Sequence, residues 1–288
     1  MPTLRLGFIG AGRVASTLAA AWDAAGVSVV GAYSRRLESS RALVAPCQQA
    51  QAFVSAQALV SKCDLVFVTV PDSAIEEVVS EIAWRAGQFA VHCSAAGDLD
   101  LLHHAQISGA QIGGFHPLQI FSDPDVAREH LAGSSVAIEA TGDLHSHLCR
   151  LAALLNMTPL TLRAGARLRY HLAGNFAASS LLALLAEAEN LWEECGFERE
   201  TALPALLPLS LGTLDSARRL GLAKAVSGPV SRGDSAMLAR HLELAAQRPE
   251  GDVLYREILA RLLGLAQASE RLTETQLAAM QAAIDQVR

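Results

Sequence analysis

The sequence predicts an α/β domain built on a doubly wound parallel sheet, followed by an all-α domain. Up to about residue 160, short apolar runs alternate with helix-like stretches, the pattern of parallel strands joined by crossover helices. From about Ala166 onward that rhythm gives way to helical periodicity alone. The expected strands are Leu4 to Ile9, Val27 to Tyr33, Leu65 to Val70, Phe89 to Cys93, Gln111 to Phe115 and Ser135 to Glu139. Several are apolar at consecutive positions, as strands covered on both faces must be. A helical run follows from Ala166 to Cys195, where Gly196 offers a C-terminal cap. Further helices are expected over Glu200 to Leu222, with Pro204 and Pro208 threatening a kink, then Asp234 to Gln247, Asp252 to Leu272, and from Thr273 onward. Thr273 and Gln276 have the spacing of a capping box. The expected division is 1–160 for the α/β domain and 161–288 for the helical one.

Composition narrows the class. The 288 residues are 51% apolar and only 18% charged, too apolar for a disordered chain, and no apolar stretch is long enough to span a membrane. Arg5 and Arg13 interrupt the apolar N-terminus, which argues against a secretory signal and makes the cytosol the expected compartment. The five cysteines are scattered, without a C-x-x-C pair, so neither a disulfide framework nor a metal site is expected, and all five read as reduced core residues. A net charge of −6 with no basic run speaks against nucleic acid and anionic membranes as partners.

The first strand leads directly into Gly10-Ala11-Gly12-Arg13-Val14-Ala15, a G-x-G-x-x-A between a strand and a helix. The first glycine permits the turn, the second lets the backbone approach a pyrophosphate, and Ala15 lets the helix pack on the strand. This is a Rossmann-type dinucleotide site, with the helix N-terminus turned to the phosphates. Where an acid would bind the ribose of NAD, the second strand ends in Tyr33-Ser34-Arg35-Arg36. A hydroxyl and guanidinium groups suit a 2′-phosphate, so NADP is the expected cofactor. Val70 and Pro71 follow another apolar strand and are expected to border it. Ser94, after the next strand, reads either as a contact near the nicotinamide or as a helix N-cap.

These motifs, with H-C-S-A-A-G at His92 to Gly97, G-F-H-P-L-Q from Gly114, Y-H-L-A-G-N-F-A-A-S from Tyr170 and G-P-V-S-R-G-D from Gly228, resemble over nearly the whole chain a bacterial Rossmann-like family. Its C-terminal helical domain was long without an assigned function. The family is similar to ketopantoate reductases, pyrroline-5-carboxylate reductases and the wider 6-phosphogluconate dehydrogenase-like group, and some members are understood as NADPH-dependent ketopantoate reductases. The resemblance implies reduction of a small carboxylate-bearing 2-oxo acid or imine, with ketopantoate foremost.

Such a reaction needs a proton donor, and related enzymes place a lysine on the first helix of the second domain with an asparagine four residues on. The only lysines here are Lys62 and Lys224, and that helix carries His171 and Asn175 instead, at i and i+4 on one face. His116, in a His-Pro after a strand as prephenate dehydrogenases also have, is the competing donor or substrate contact. Asp234 reads as a helix N-cap, Arg232 as a surface residue or a partner for a substrate carboxylate, and Glu187 and Glu189 as solvent-facing. The Ala/Leu-rich late helices favour a homodimer interface. Two alternatives stand beside the reductase: a prephenate-type dehydrogenase, and a non-catalytic NADP-binding sensor or scaffold that has lost the lysine.

Overall fold

A computed structural model describes residues 4–163 and 165–286. The chain forms two compact units, divided after Ala178. In the first, β1 (Leu6–Ile9), β2 (Val29–Tyr33), β3 (Gln51–Phe53), β4 (Leu65–Val68), β5 (Phe89–His92), β6 (Gln111–Pro117), β7 (Ser135–Glu139) and β8 (Thr158–Thr161) make one sheet in the order 3-2-1-4-5-6-7-8. Strands β1 to β6 are mutually parallel; β7 runs antiparallel to β6, and β8 parallel to β7. The order reverses between β1 and β4, the crevice where ligands of such sheets bind.

The helices of this unit are α1 (Arg13–Ala24), α2 (Leu37–Val44), α3 (Ala56–Val60), α4 (Asp72–Ser80), α5 (His103–Ile107), α6 (Pro124–Glu129), α7 (Gly142–Leu154) and α8 (Arg167–Ala177). Helices α1, α2 and α7 cover one face, around Phe8, Trp22, Phe67 and Phe115, whose rings pack on one another. The other face, with Val66, Val68 and Ala90, is covered by α3, α4 and α5. Both faces of the central strands are therefore buried, which is why β1, β4 and β5 are buried at every position and carry no polar alternation.

Two strands escaped the sequence. Strand β3 has three residues, too short for a period, and β8 is an exposed edge strand containing Pro159, tolerated there because an edge residue need not donate to the ladder. Strand β6 also continues through His116 and Pro117, rather than stopping at Phe115.

The second unit holds α9 (Ser179–Glu194), α10 (Arg199–Leu220), α11 (Leu222–Ala225), α12 (Gly228–Arg232), α13 (Ser235–Ala245), α14 (Pro249–Ala268) and α15 (Glu274–Gln286). Its core joins Leu238 and Leu242 of α13, Leu259 and Leu263 of α14, and Met280 and Ile284 of α15. The expected helix from Ala166 to Cys195 is broken at Ala178, where the backbone leaves helical geometry (φ −116°, ψ −74°) without a glycine or proline to announce it. Helix α10 instead runs through Pro204 and Pro208. The capping box forms: the Gln276 side-chain oxygen accepts from the Thr273 N–H at 3.0 Å, and the Gln276 N–H donates to the Thr273 hydroxyl. Asp234 caps α13 through the Met237 N–H, 3.0 Å away.

Glu187 and Glu189 do not simply face solvent: Arg248 pairs with the first at 3.1 Å and Arg199 with the second at 3.5 Å. Of the five cysteines, all without disulfides, only Cys63 is fully buried, and Cys195 is exposed. Lys224 lies on α11.

Candidate active site

Gly10 turns the chain at φ +99°, and a side chain there would press on the Thr69 backbone at 2.7 Å. Its N–H donates to the Tyr33 carbonyl at 2.8 Å, so the turn lies directly beside the end of β2 and Ser34. The Thr69 hydroxyl lies within 3.0 Å of the Ile9 carbonyl and 2.9 Å of the Gly10 carbonyl, and this ties the turn to the end of β4, where Val70 and Pro71 follow. Gly12 is different. A Cβ there meets nothing nearer than the Thr69 carbonyl at 4.0 Å, so protein packing does not require glycine at this position.

Gly12 is also the N-cap of α1, which has no side-chain cap and no acid in its first turn. The first N–H groups of the helix, at Arg13 and Val14, are left to an anion, and the open space over Gly12 leaves room for it. Ala11 and Val14 rest on the core, while Arg13, Arg35 and Arg36 are exposed. A pyrophosphate on the Gly10–Val14 backbone and a 2′-phosphate at Ser34, Arg35 and Arg36 fit this arrangement. No group of three or more His, Cys, Asp or Glu side chains among the described residues is placed to hold a metal.

Beyond the carboxyl ends of β4 and β5 lies a polar cluster. Ser94 is buried; its hydroxyl donates to the Asp72 carboxylate at 2.6 Å and accepts from the Gly97 N–H at 2.7 Å. It therefore organises the loop after β5 and caps no helix, and its proton is already committed to Asp72. His92 is wholly buried, and its Nδ1 accepts from the Ser94 N–H at 3.2 Å, which puts the proton of the neutral ring on Nε2. Burial, followed by the nearby positive charge of Arg167, pushes its pKa down to about 4.

His116 stands at the end of β6. The Tyr170 hydroxyl approaches both its Nδ1 and its carbonyl oxygen at 3.4 Å, and the two rings meet edge to face. Burial first, then His171 and Arg167, lower the His116 pKa to about 4, while Asp72 opposes them. That shift leaves His116 an uncharged imidazole at neutral pH. Tyr170 keeps its proton, because burial raises its pKa to about 12.

His171 follows Tyr170 on α8, is exposed, and is close enough to His116 for their charges to interact; Asn175 is exposed one turn further. The structure thus brings together the loop from Gly10 to Val14 with Ser34, Val70 and Pro71, and, separately, Ser94, His116 and His171. Arg232 is exposed at the end of α12, its carbonyl oxygen accepting from Gln276.

Four members of the cluster were not singled out from the sequence: Asp72, His92, Arg167 and Tyr170. His92 had a signal, a histidine closing an otherwise apolar buried strand; Asp72 directly follows Pro71, and Tyr170 opens one of the motifs that carry the family resemblance. Arg167 had none. It is 2% exposed, its Nε donates to Glu139 of β7, and its Nη1 donates to the Ser94 carbonyl at 2.9 Å. A separate cavity of about 810 Å3 lies in the helical unit, lined by Leu184, Leu191, Leu254 and Ile258 among others, and contains none of these groups.

Residues 5–96 match the family model described as NADP oxidoreductase coenzyme F420-dependent, and residues 134–262 match the Domain of unknown function DUF2520. No curated protein matches the sequence. Among solved structures, a Thermotoga maritima protein is similar at 22% identity and TM-score 0.70, covering 92% of this chain and 100% of that one. The 1-pyrroline-5-carboxylate reductase of Streptococcus pyogenes is similar at 16% identity and TM-score 0.63, over 99% and 98%. A reductive aminase from Aspergillus terreus, in complex with NADPH4, cyclohexanone and allyl amine, is similar at 16% identity and TM-score 0.59, over 100% and 94%. At such identities the likeness is one of fold.

Proposed function

We propose, for a chain that joins the Rossmann domain of NADP oxidoreductases to a DUF2520 domain, that the protein reduces a C=N or C=O bond in a small carboxylate-bearing molecule. The observation that carries this is the uncapped start of α1 under an open Gly12, followed on the same sheet rim by a cluster with protonated and neutral groups in fixed places. NADPH supplies the hydride. The backbone from Gly10 to Val14 holds its pyrophosphate, and Ser34, Arg35 and Arg36 hold its 2′-phosphate. The cyclic imine of the reductase and the ketone and amine of the aminase named above favour C=N as the bond reduced; ketopantoate stands for the 2-oxo acids.

Hydride addition leaves negative charge on the substrate heteroatom, and a proton must meet it. His171 is the proposed donor, being exposed and next to the cluster, with Asn175 on the same helical face to orient the substrate. His116 acts uncharged, aligned by Tyr170. The same neutral His116 favours a second reading, since an imidazole unprotonated at pH 7 can accept a hydroxyl proton in a prephenate-type oxidation. The late helices are proposed to form a homodimer, because α9 buries no residue within the chain and both α9 and α10 expose leucines.

The test is a screen of NADPH oxidation against cyclic imines, ketones with amines, and 2-oxo acids including ketopantoate, with NADP reduction by prephenate as the reverse arm. Turnover is expected with an imine or oxo acid. His171→Ala is expected to lower kcat by about 10² to 10⁴-fold, with NADPH affinity within a few-fold. If His116→Ala alone has that effect, the donor is on the sheet; if nothing turns over while NADPH binds, the protein is a sensor and not an enzyme.

A further inference from the structure

We propose that Arg167 is the positioning residue of this site, a buried guanidinium laid into the side-chain space that Gly114 leaves open, fixing α8 and with it Tyr170 and His171 against the strand ends. The role in turnover rests on the reductase reading above; the placement does not. In register, His92 of β5, Gly114 of β6 and Glu139 of β7 are neighbours across the sheet, so their side-chain positions form one row on one face. The guanidinium lies in the middle of that row. A Cβ built on Gly114 would collide with Nη2 of Arg167, and no other atom lies nearer to it.

From this seat the arginine reaches three elements. Its Nε donates to Glu139 on β7, its Nη1 to the carbonyl of Ser94 after β5, and its body rests on β6. Nη2 is buried and has no acceptor among the described residues. A cation at 2% exposure with one donor unmatched is an expensive arrangement for merely attaching a helix, since apolar side chains attach helices at lower desolvation cost. Its geometric effect is specific, because a planar fork bound on two sides leaves the helix little freedom to rotate or slide.

Tyr170 lies on the next turn of α8, and its ring stands against His116, two residues along β6 from Gly114 and on the same face. Any shift of Arg167 therefore moves Tyr170 relative to His116. The charge has a second effect. The groups that face His92 are Arg167 from α8, Asp72 from α4, His116 from β6 and the Asp98 backbone, and of these Asp72 and Asp98 favour the imidazolium while Arg167 and His116 oppose it. Arg167 thus adds to burial, the larger cause, in keeping His92 uncharged.

The experiment uses the full chain and four variants: Arg167→Lys, Arg167→Met, Gly114→Ala, and Gly114→Ala with Arg167→Met. Imidazole titrations followed by NMR, thermal unfolding and NADPH-dependent turnover are read on each. The His92 titration, near pH 4 in the unmodified protein, is expected to move upward in Arg167→Met and to stay low in Arg167→Lys. Gly114→Ala and Arg167→Lys are each expected to lower kcat by about 10 to 100-fold, the effect of sub-ångström to ångström misplacement, with NADPH affinity unchanged within about threefold. The double variant is expected to be no worse in thermal stability than Arg167→Met, since without the guanidinium the alanine has nothing to displace.

An unmoved His92 titration in folded Arg167→Met, or additive losses in the double variant, overturns the proposal. Both readouts are independent of activity, so they can overturn the seat even if no substrate is turned over. If the titration and the double variant behave as expected but Gly114→Ala turns over normally, the positioning role is refuted and only the seat stands.

Discussion

Gly10 and Gly12 belong to one motif yet have opposite physical reasons to be glycine, and a pair of substitutions separates them. Gly10→Ala puts a Cβ at φ +99° against the Thr69 backbone, and is expected to lower stability by about 1 to 3 kcal/mol in chemical denaturation. A Cβ at Gly12 meets no protein atom nearer than 4.0 Å, and Gly12→Val is expected to leave the unfolding curve within about 0.5 kcal/mol while abolishing NADPH binding in a fluorescence titration. Normal NADPH binding by a folded Gly12→Val would remove the pyrophosphate from this loop. Arg35→Ala tests the other end of the cofactor. Losing one charge-assisted hydrogen bond costs roughly 1.5 to 3 kcal/mol, so the preference for NADPH over NADH is expected to fall by about 10-fold or more. Equal affinities of the unmodified protein for both would refute the role of Ser34-Arg35-Arg36. The glycines and arginines were legible because local chain geometry defines their task. Arg167 was not, because its task depends on a glycine on another element that pairs with it only after folding.

At the scale of elements, β5 joins the apolar core to the polar cluster, and His92 at its end makes stability depend on acidity. Its folded pKa of about 4 lies below the usual histidine value near 6.5, so between those limits the unfolded chain binds more protons than the native one. His116 adds to the effect in the same window. Stability is therefore complete above about pH 6.5 and is lost as the pH falls toward 4. Denaturant titrations are expected to show that decline, up to about 3 kcal/mol from His92, and His92→Gln is expected to remove that share and leave the part due to His116. A stability that does not change between pH 6.5 and 4.5 would contradict the buried neutral imidazole. Six strands, the first helix and the long late helices were legible because consecutive apolar residues and helical periods are local signals. Strands β3 and β8 and the break at Ala178 were not, since a three-residue strand, an edge strand and an unmarked bend have no period to read.

For the whole molecule, the sequence conveyed that apolar surface exceeds what the helical unit can bury. Leu182 on α9 and Leu209, Leu211 and Leu214 on α10 are all more than half exposed. If these helices form the proposed homodimer, sedimentation at micromolar concentration is expected to show two chains. Leu182→Asp with Leu209→Asp should shift the protein toward monomer, without lowering NADPH affinity more than a few-fold. A monomer at tens of micromolar in the unmodified chain would refute the dimer. The seating of Arg167 on Gly114 also has a meaning for sequences other than this one. The two positions form a linked signature, a blank on a strand matched to a cation on a distant helix, and neither half is informative alone. In a protein of the same build where the blank has gained a side chain, the guanidinium has to have moved or been replaced. Such a substitution pattern would sort chains that keep this arrangement of the cluster from chains that keep only the cofactor loop.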